Sequence, residues 1–300
     1  MRNKSLAEYL QRLQHKHVIF IPNLGNAGDA LINAATFQFL DRIGLNYQTL
    51  SPRAARKLVA KPALLAEQID KTQTCIILGG GGGFTEDYLH SRQLVEGLHN
   101  NVDRLILLPC TIAGHKDLIG QLSANVSIFC REQRTLDDIK NINSALHAEL
   151  AHDMVFDVDM DALRATHGRL SSIRNWIKCW RSRREINHFV ALHGTAHLNA
   201  FRQDEEQSQQ PLPAANLDLS ALLALGTKTR ATNFFTAREF VEQIDRFDSI
   251  STNRLHICIA ASLLGKTVQL FDNGYFKNRA IYQHSLESNP SVQLNNPKTR

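Results

Sequence analysis

The sequence is poor in cysteine and has no CxxC pair: Cys75, Cys110, Cys130, Cys179 and Cys258 are odd in number and mostly sit inside apolar runs. A disulfide framework is thereby excluded, and buried thiols of a reducing compartment are expected. Long hydrophobic runs are missing as well. The most apolar stretches, residues 105–113 and 257–264, fall well short of the roughly 20 residues that a spanning helix needs. The first 21 residues mix Glu8, Gln11 and Gln14 into a helical stretch and offer no apolar segment of a signal peptide. A cytoplasmic protein is expected, with the inner face of the plasma membrane as a place of peripheral contact. Charge of one sign is scarce too, since 34 Lys and Arg against 29 Asp and Glu leave only +5. That excess suits anionic small molecules or an anionic membrane face, and no nucleic acid partner is expected.

Several chemical templates are absent. His193 and His197 are four apart, but Gly194 stands where a zinc protease helix requires glutamate, so no metal is expected. There is no G-x-S-x-G elbow, and no thiol is paired locally with a histidine. A dinucleotide fingerprint beginning at Gly79 fails at Phe84, and Asn100 and Asn101 stand where its acidic residue belongs. Gly265-Lys266-Thr267 has the ending of a phosphate-binding loop, but its first glycine falls on Ala260. No cofactor is called for.

What is present is an α/β pattern. Between residue 17 and about 157 the runs HVIFIP, TCIILG, RLILLP, VSIFC and MVFDV alternate with helical stretches, which predicts parallel strands covered on both faces. The chain of 300 residues is long enough for two domains. An N-terminal Rossmann-like domain is expected over 1–160, a basic linker or helix over 161–186, a smaller C-terminal Rossmann-like domain over 187–288, and a solvated tail over 289–300.

In open parallel sheets ligands bind beyond the carboxyl ends of the strands, so the residues that follow each predicted strand carry the argument. After HVIFIP come Asn26, Gly28 and Asp29 and then an amphipathic helix with Leu31, Ile32, Ala35, Phe37 and Leu40. Asp29 is either a helix N-cap or a base for a substrate hydroxyl. After TCIIL come five glycines, residues 79–83, whose N–H groups, Gly80 and Gly81 among them, are suited to cradling an anion. Arg131 follows VSIFC, either facing an anion in a crevice or paired with a neighbour such as Glu132 or Asp137. Arg254 and His256 precede an apolar helix closed by Gly265. Two apart, they converge only at that helix's N-terminal edge, where unsatisfied N–H groups favour an anion. Lys277 is a further cation past a strand end, or simply a solvated lysine.

These residues fall in GNAGDAL at 25–31, GGGGG at 79–83, CRE at 130–132, FRQDEE at 201–206, TNRLHICIAASLLGK at 252–266 and DNGYFKN at 272–278. In these motifs the chain resembles the polysaccharide pyruvyl transferase family. The resemblance implies two Rossmann-like domains facing a cleft, as in GT-B glycosyltransferases. It also implies transfer of a pyruvyl group from phosphoenolpyruvate to two hydroxyls of one sugar. Arg131, Arg254, His256 and Lys277 would line the donor site, with His256 as general acid and Asp29 as candidate base. Asp204, Glu206 and Asn26 are candidates for contact with the acceptor, a saccharide that a lipid carrier would present; for the first two the other reading is a solvated acidic loop. Two further functions compete: a GT-B-like glycosyltransferase using a nucleotide sugar, and a non-catalytic membrane-associated subunit of a polysaccharide assembly complex. The second is motivated by residues 171–184, which mix Trp176 and Trp180 with arginines and otherwise read as an interdomain helix burying both tryptophans.

Overall fold

The computed structural model describes residues 2–86, 88–203, 212–272 and 274–295. Two compact units make up the chain: Met1–Asn23 with Ala35–Val158, and Leu24–Ala34 with Asp159–Arg300. The elements run α1 (Lys4–Gln11), β1 (His17–Ile21), α2 (Ala27–Arg42), β2 (Gln48–Thr49), α3 (Pro52–Val59), α4 (Pro62–Gln68), β3 (Thr74–Leu78), β4 (Gly81–Thr85), α5 (Leu89–Leu98), β5 (Arg104–Ala113), α6 (Lys116–Gln121), β6 (Val126–Cys130), α7 (Gln133–Ile142) and β7 (His147–Leu150). They continue with α8 (Met160–Ala165), α9 (Ile173–His193), β8 (His197–Ala200), α10 (Leu219–Leu222), α11 (Arg230–Asp245), β9 (Ser249–Thr252), α12 (Leu255–Leu263), β10 (Thr267–Phe271), α13 (Lys277–Ile281) and β11 (Val292–Asn295).

The first unit holds a parallel sheet in the order β2-β1-β3-β5-β6-β7, with β4 paired to β5. Every residue of β3 and β6 is buried, which is why both read in sequence as unbroken apolar runs. Two predicted elements change. MVFDV is not a strand: Met154–Asp157 form a buried 3-10 turn, started by the Asp153 side chain, which accepts from the Val155 N–H at 3.0 Å. The last strand is instead β7, whose sequence HAEL hides it because an edge strand, here half-exposed, needs no apolar run. The glycine run is not wholly a loop either, since Gly81–Thr85 form β4 along β5.

The second unit holds a parallel sheet in the order β11-β10-β9-β8, with Leu198, Ile250, Val268 and Leu270 fully buried in it. The helix α12 is apolar all round and buried from Ile257 through Ser262. Gly265 follows its end with φ +73, the left-handed turn that closes a helix. Both units are Rossmann-like in construction, parallel strands alternating with helices.

The predicted boundaries shift. Residues 161–186 are not a separate linker, because α8 and α9 belong to the second unit, and HFVALH completes α9. Residues 24–34 also belong there, although their sequence lies within the first half. The expected tail contains β11, which pairs with β10 from Val268↔Val292 to Phe271↔Asn295. A four-residue strand after Asn-Pro gives too short a signal to separate from a polar terminus. Finally, α2 is enclosed rather than amphipathic: Leu31, Ile32, Phe37 and Leu40 are fully buried, and so are the polar Asn33 and Thr36.

Candidate functional site

The site is clearest in the second unit, at the carboxyl ends of β8, β9 and β10. Polar side chains tie these ends together. The Thr252 hydroxyl donates to the Ala200 carbonyl at 2.6 Å and accepts from the Arg254 N–H at 2.9 Å. Asn253 Oδ1 accepts from the Arg202 N–H at 2.8 Å. The Asn278 amide donates to the carbonyls of Asn253 and Phe271 at 2.8 and 2.9 Å, fastening the turn after β10 to the turn after β9. The buried turns thus have partners for their backbone groups, as a rigid platform requires.

On this platform Arg254 stands at the N-cap position of α12 and His256 one residue inside its first turn. Both residues thus stand at the N-terminal edge of that helix. Arg254 is buried and forks onto Asp218, with Nε 3.0 Å from Oδ1 and Nη2 bonded to Oδ2. Asp218 also starts α10 by accepting from the Ala221 N–H at 3.3 Å. Sequence reading misses Asp218; its one signal is an Asp before the short helical stretch LSAL. Lys277 opens α13 and is 7% exposed, not solvated, with Nζ 4.9 Å from the Tyr275 ring centroid.

The first turn of α2 packs against His256. A Cβ built on Gly28 would lie 2.6 Å from His256 Nδ1, so only glycine admits the imidazole there. Ahead of it Asn26 and Asp29 form a reciprocal cap: Asn26 Oδ1 accepts from the Gly28 N–H at 2.8 Å, and Asp29 Oδ2 from the Asn26 N–H at 2.9 Å. The N-cap is therefore Asn26, and Asp29 is the residue that reaches back to it from the first turn. The asparagine at 33, two turns on, donates to Asn233 Oδ1 at 2.9 Å and holds α2 to α11.

The remaining predicted residues lie elsewhere. Arg131, in the first unit, has no exposed surface; its Nη1 lies 2.7 Å from Asp153 Oδ2, and its Nε donates to the Thr111 hydroxyl at 2.9 Å. Its carboxylate partner is Asp153 rather than Glu132 or Asp137. Glu132 instead caps α7, accepting from the Thr135 N–H at 2.8 Å, and burial pushes its carboxyl up from the usual range. The run at 79–83 owes part of its composition to the backbone: a Cβ on Gly80 would collide with the Pro109 carbonyl, and Gly81 adopts φ +99. Asp204 and Glu206 lie outside the described residues. All five cysteines are buried and free, and burial raises the Cys75 and Cys110 thiols to about 11 and about 12. Among the described residues no group of three His, Cys, Asp or Glu is placed to hold a metal ion. No helix among them is long and apolar enough to cross a membrane.

Chemically, the second unit therefore offers a half-buried imidazole at a helix N-terminus, with a buried guanidinium and a buried ammonium on the same sheet end. Helix N-terminal N–H groups and buried cations both favour an anionic ligand, and an imidazole among them is suited to moving a proton.

The fold is that of an α/β protein built from two parallel-sheet units. The polysaccharide pyruvyl transferase family model matches residues 26–275, and the chain belongs to that family. It is 23% identical over 294 residues to EpsO of Bacillus subtilis (strain 168), provisionally named a pyruvyl transferase, covering 91% of this chain and 86% of that protein. An uncharacterised protein from Klebsiella pneumoniae subsp. pneumoniae NTUH-K2044 shares the fold in its crystal structure, with a TM-score of 0.74 and 24% identity over 98% of each chain. HepE from Anabaena, crystallised with UDP and glucose, aligns with a TM-score of 0.41 and 11% identity over 87% of this chain and 82% of its own.

Proposed function

We propose that the chain transfers the pyruvyl group of phosphoenolpyruvate onto two hydroxyls of one sugar, forming a cyclic ketal on a saccharide destined for an exopolysaccharide or cell-surface glycan. The observation that carries this reading is the grouping of His256, Arg254 and Lys277 at the carboxyl ends of β9 and β10, in a chain of the pyruvyl transferase family. Phosphoenolpyruvate brings a carboxylate and a phosphate, the anions that such a cluster favours.

In this reading His256, as imidazolium, delivers a proton to the enol methylene carbon. The adjacent carbon becomes oxocarbenium-like and is attacked by the first sugar hydroxyl. The second hydroxyl attacks the same carbon as the bond to phosphate breaks. Of the two hydroxyl protons, one restores the imidazolium and the other leaves with phosphate, with Asp29 as candidate relay. Arg254 and Lys277 stabilise the carboxylate and the departing phosphate. Asn26 is a candidate contact for the acceptor beside its capping role, as are Asp204 and Glu206.

Calorimetric titration of phosphoenolpyruvate into the wild-type chain and into Lys277→Met tests the reading. Saturable binding that weakens at least tenfold in the variant is expected, the loss of about one charge-assisted contact. Absence of phosphoenolpyruvate binding together with binding of a nucleotide sugar would overturn it.

A further inference from the structure

We propose that the solvent-facing side of α9 is a docking face for an anionic lipid bilayer. This helix of 21 residues is about 31 Å long and buries Cys179, Ser182 and Ile186 on its inner side. Opposite them Ile173, Trp176, Ile177 and Trp180 are 78%, 53%, 49% and 61% exposed. Their spacing of three and four places them on one stripe. The chain has two tryptophans, and both lie in it. Arg184 continues the stripe with its guanidinium carbon 5.8 Å from the Trp180 ring centroid, and Arg174 and Arg181 flank it.

The helix sorts its cations. Two serve the fold: the half-exposed Arg183 pairs with the buried Glu239, and Lys178 donates to the Ala224 carbonyl at 2.8 Å. Arg174, Arg181 and Arg184 make no ion pair with a carboxylate among the described residues, and Glu185 is the single acidic residue of α9. A second copy is disfavoured as occupant, because a two-fold pairing of this face would set arginine against arginine. The complementary surface is therefore anionic and accepts indole and branched aliphatic side chains beside guanidinium groups. A headgroup layer does this, the apolar side chains reaching the acyl boundary while the arginines remain among phosphates. Trp176 also meets Phe235, with ring centroids 5.7 Å apart, so its indole is held in place before any contact.

The inference does not depend on the proposed reaction, and its test needs no substrate. Full-length chain is sedimented with phosphatidylcholine vesicles, with or without phosphatidylglycerol, while tryptophan emission is recorded. Binding confined to the anionic vesicles, with a blue shift of the emission, is expected. In Arg174→Glu/Arg181→Glu/Arg184→Glu the vesicle affinity should fall at least on the order of a hundredfold, with the melting temperature unchanged. Three results would overturn the proposal: no sedimentation with either vesicle, equal sedimentation of the charge-reversed variant, or a wild-type dimer that Trp180→Ser dissolves.

Discussion

Gly28 and His256 lie far apart in sequence and meet in the second unit so closely that a methyl group on one would stand 2.6 Å from the ring nitrogen Nδ1 of the other. Gly28→Ala must therefore turn the imidazole. Alanine suits the first turn of α2 better than glycine by about 1 kcal/mol, while overpacking costs about 1–3 kcal/mol, so the melting temperature should move little. Turnover should fall about 10²-fold, the effect of misplacing a reacting group by an ångström. Melting curves and initial rates on one preparation check this; unchanged turnover would remove His256 from the reacting centre.

The fork between Arg254 and Asp218 joins two side chains that are 7% and 10% exposed. Removing the carboxylate in Asp218→Ala breaks this buried ion pair and should cost up to about 3–5 kcal/mol. Replacing both partners, as Asp218→Leu with Arg254→Met, should restore most of the stability, because a packed apolar pair avoids the desolvation of two charges. That double variant should still fail to bind phosphoenolpyruvate. Donor binding equal to wild type in the double variant would count against Arg254 as a ligand.

Glu132 gives the fold a dependence on pH. Burial raises its carboxyl above the ordinary 4.5, so the folded chain keeps this proton to higher pH than the unfolded one. Folding takes up a proton between the two values, and stability falls as pH rises through that window. Glu132→Gln keeps an acceptor for the Thr135 N–H and has no proton to lose. Its melting temperature should equal or exceed that of wild type at neutral pH and lack the fall on leaving acid. A lower melting temperature at neutral pH would show that the carboxylate charge itself is needed at this cap.

What the sequence makes legible follows burial. The strands β1, β3, β5 and β6 announce themselves because helices cover both faces of the sheet and nearly every position is apolar. The elements that escape are those without such cover or length: β7 at an edge, β4 in glycines, and the short β11 after Asn-Pro. The site shows the same division. Of the candidate residues, Arg254, His256 and Lys277 are singled out in sequence by their place after strands. Asp218 and Asn278 act by joining segments that only the folded sheet brings together, such as the pair Arg254 and Asp218, 36 residues apart. Residues 171–184 read in sequence first as an interdomain helix burying both tryptophans, and the exposure of Trp176 and Trp180 runs against that reading.

The placement of residues 24–34 in the second unit also sets an order of events during synthesis. Asn33 is joined to Asn233 across 200 residues of chain, and at roughly 5–20 residues per second the ribosome needs about 10–40 s to supply that distance. For that interval the leading turns of α2, Gly28 among them, have been made without the helix and sheet that will receive them. A nascent chain stalled before β9 and α12 would hold the same turns with no imidazole to pack against, and a fragment beginning at Asp159 would carry His256 without Gly28.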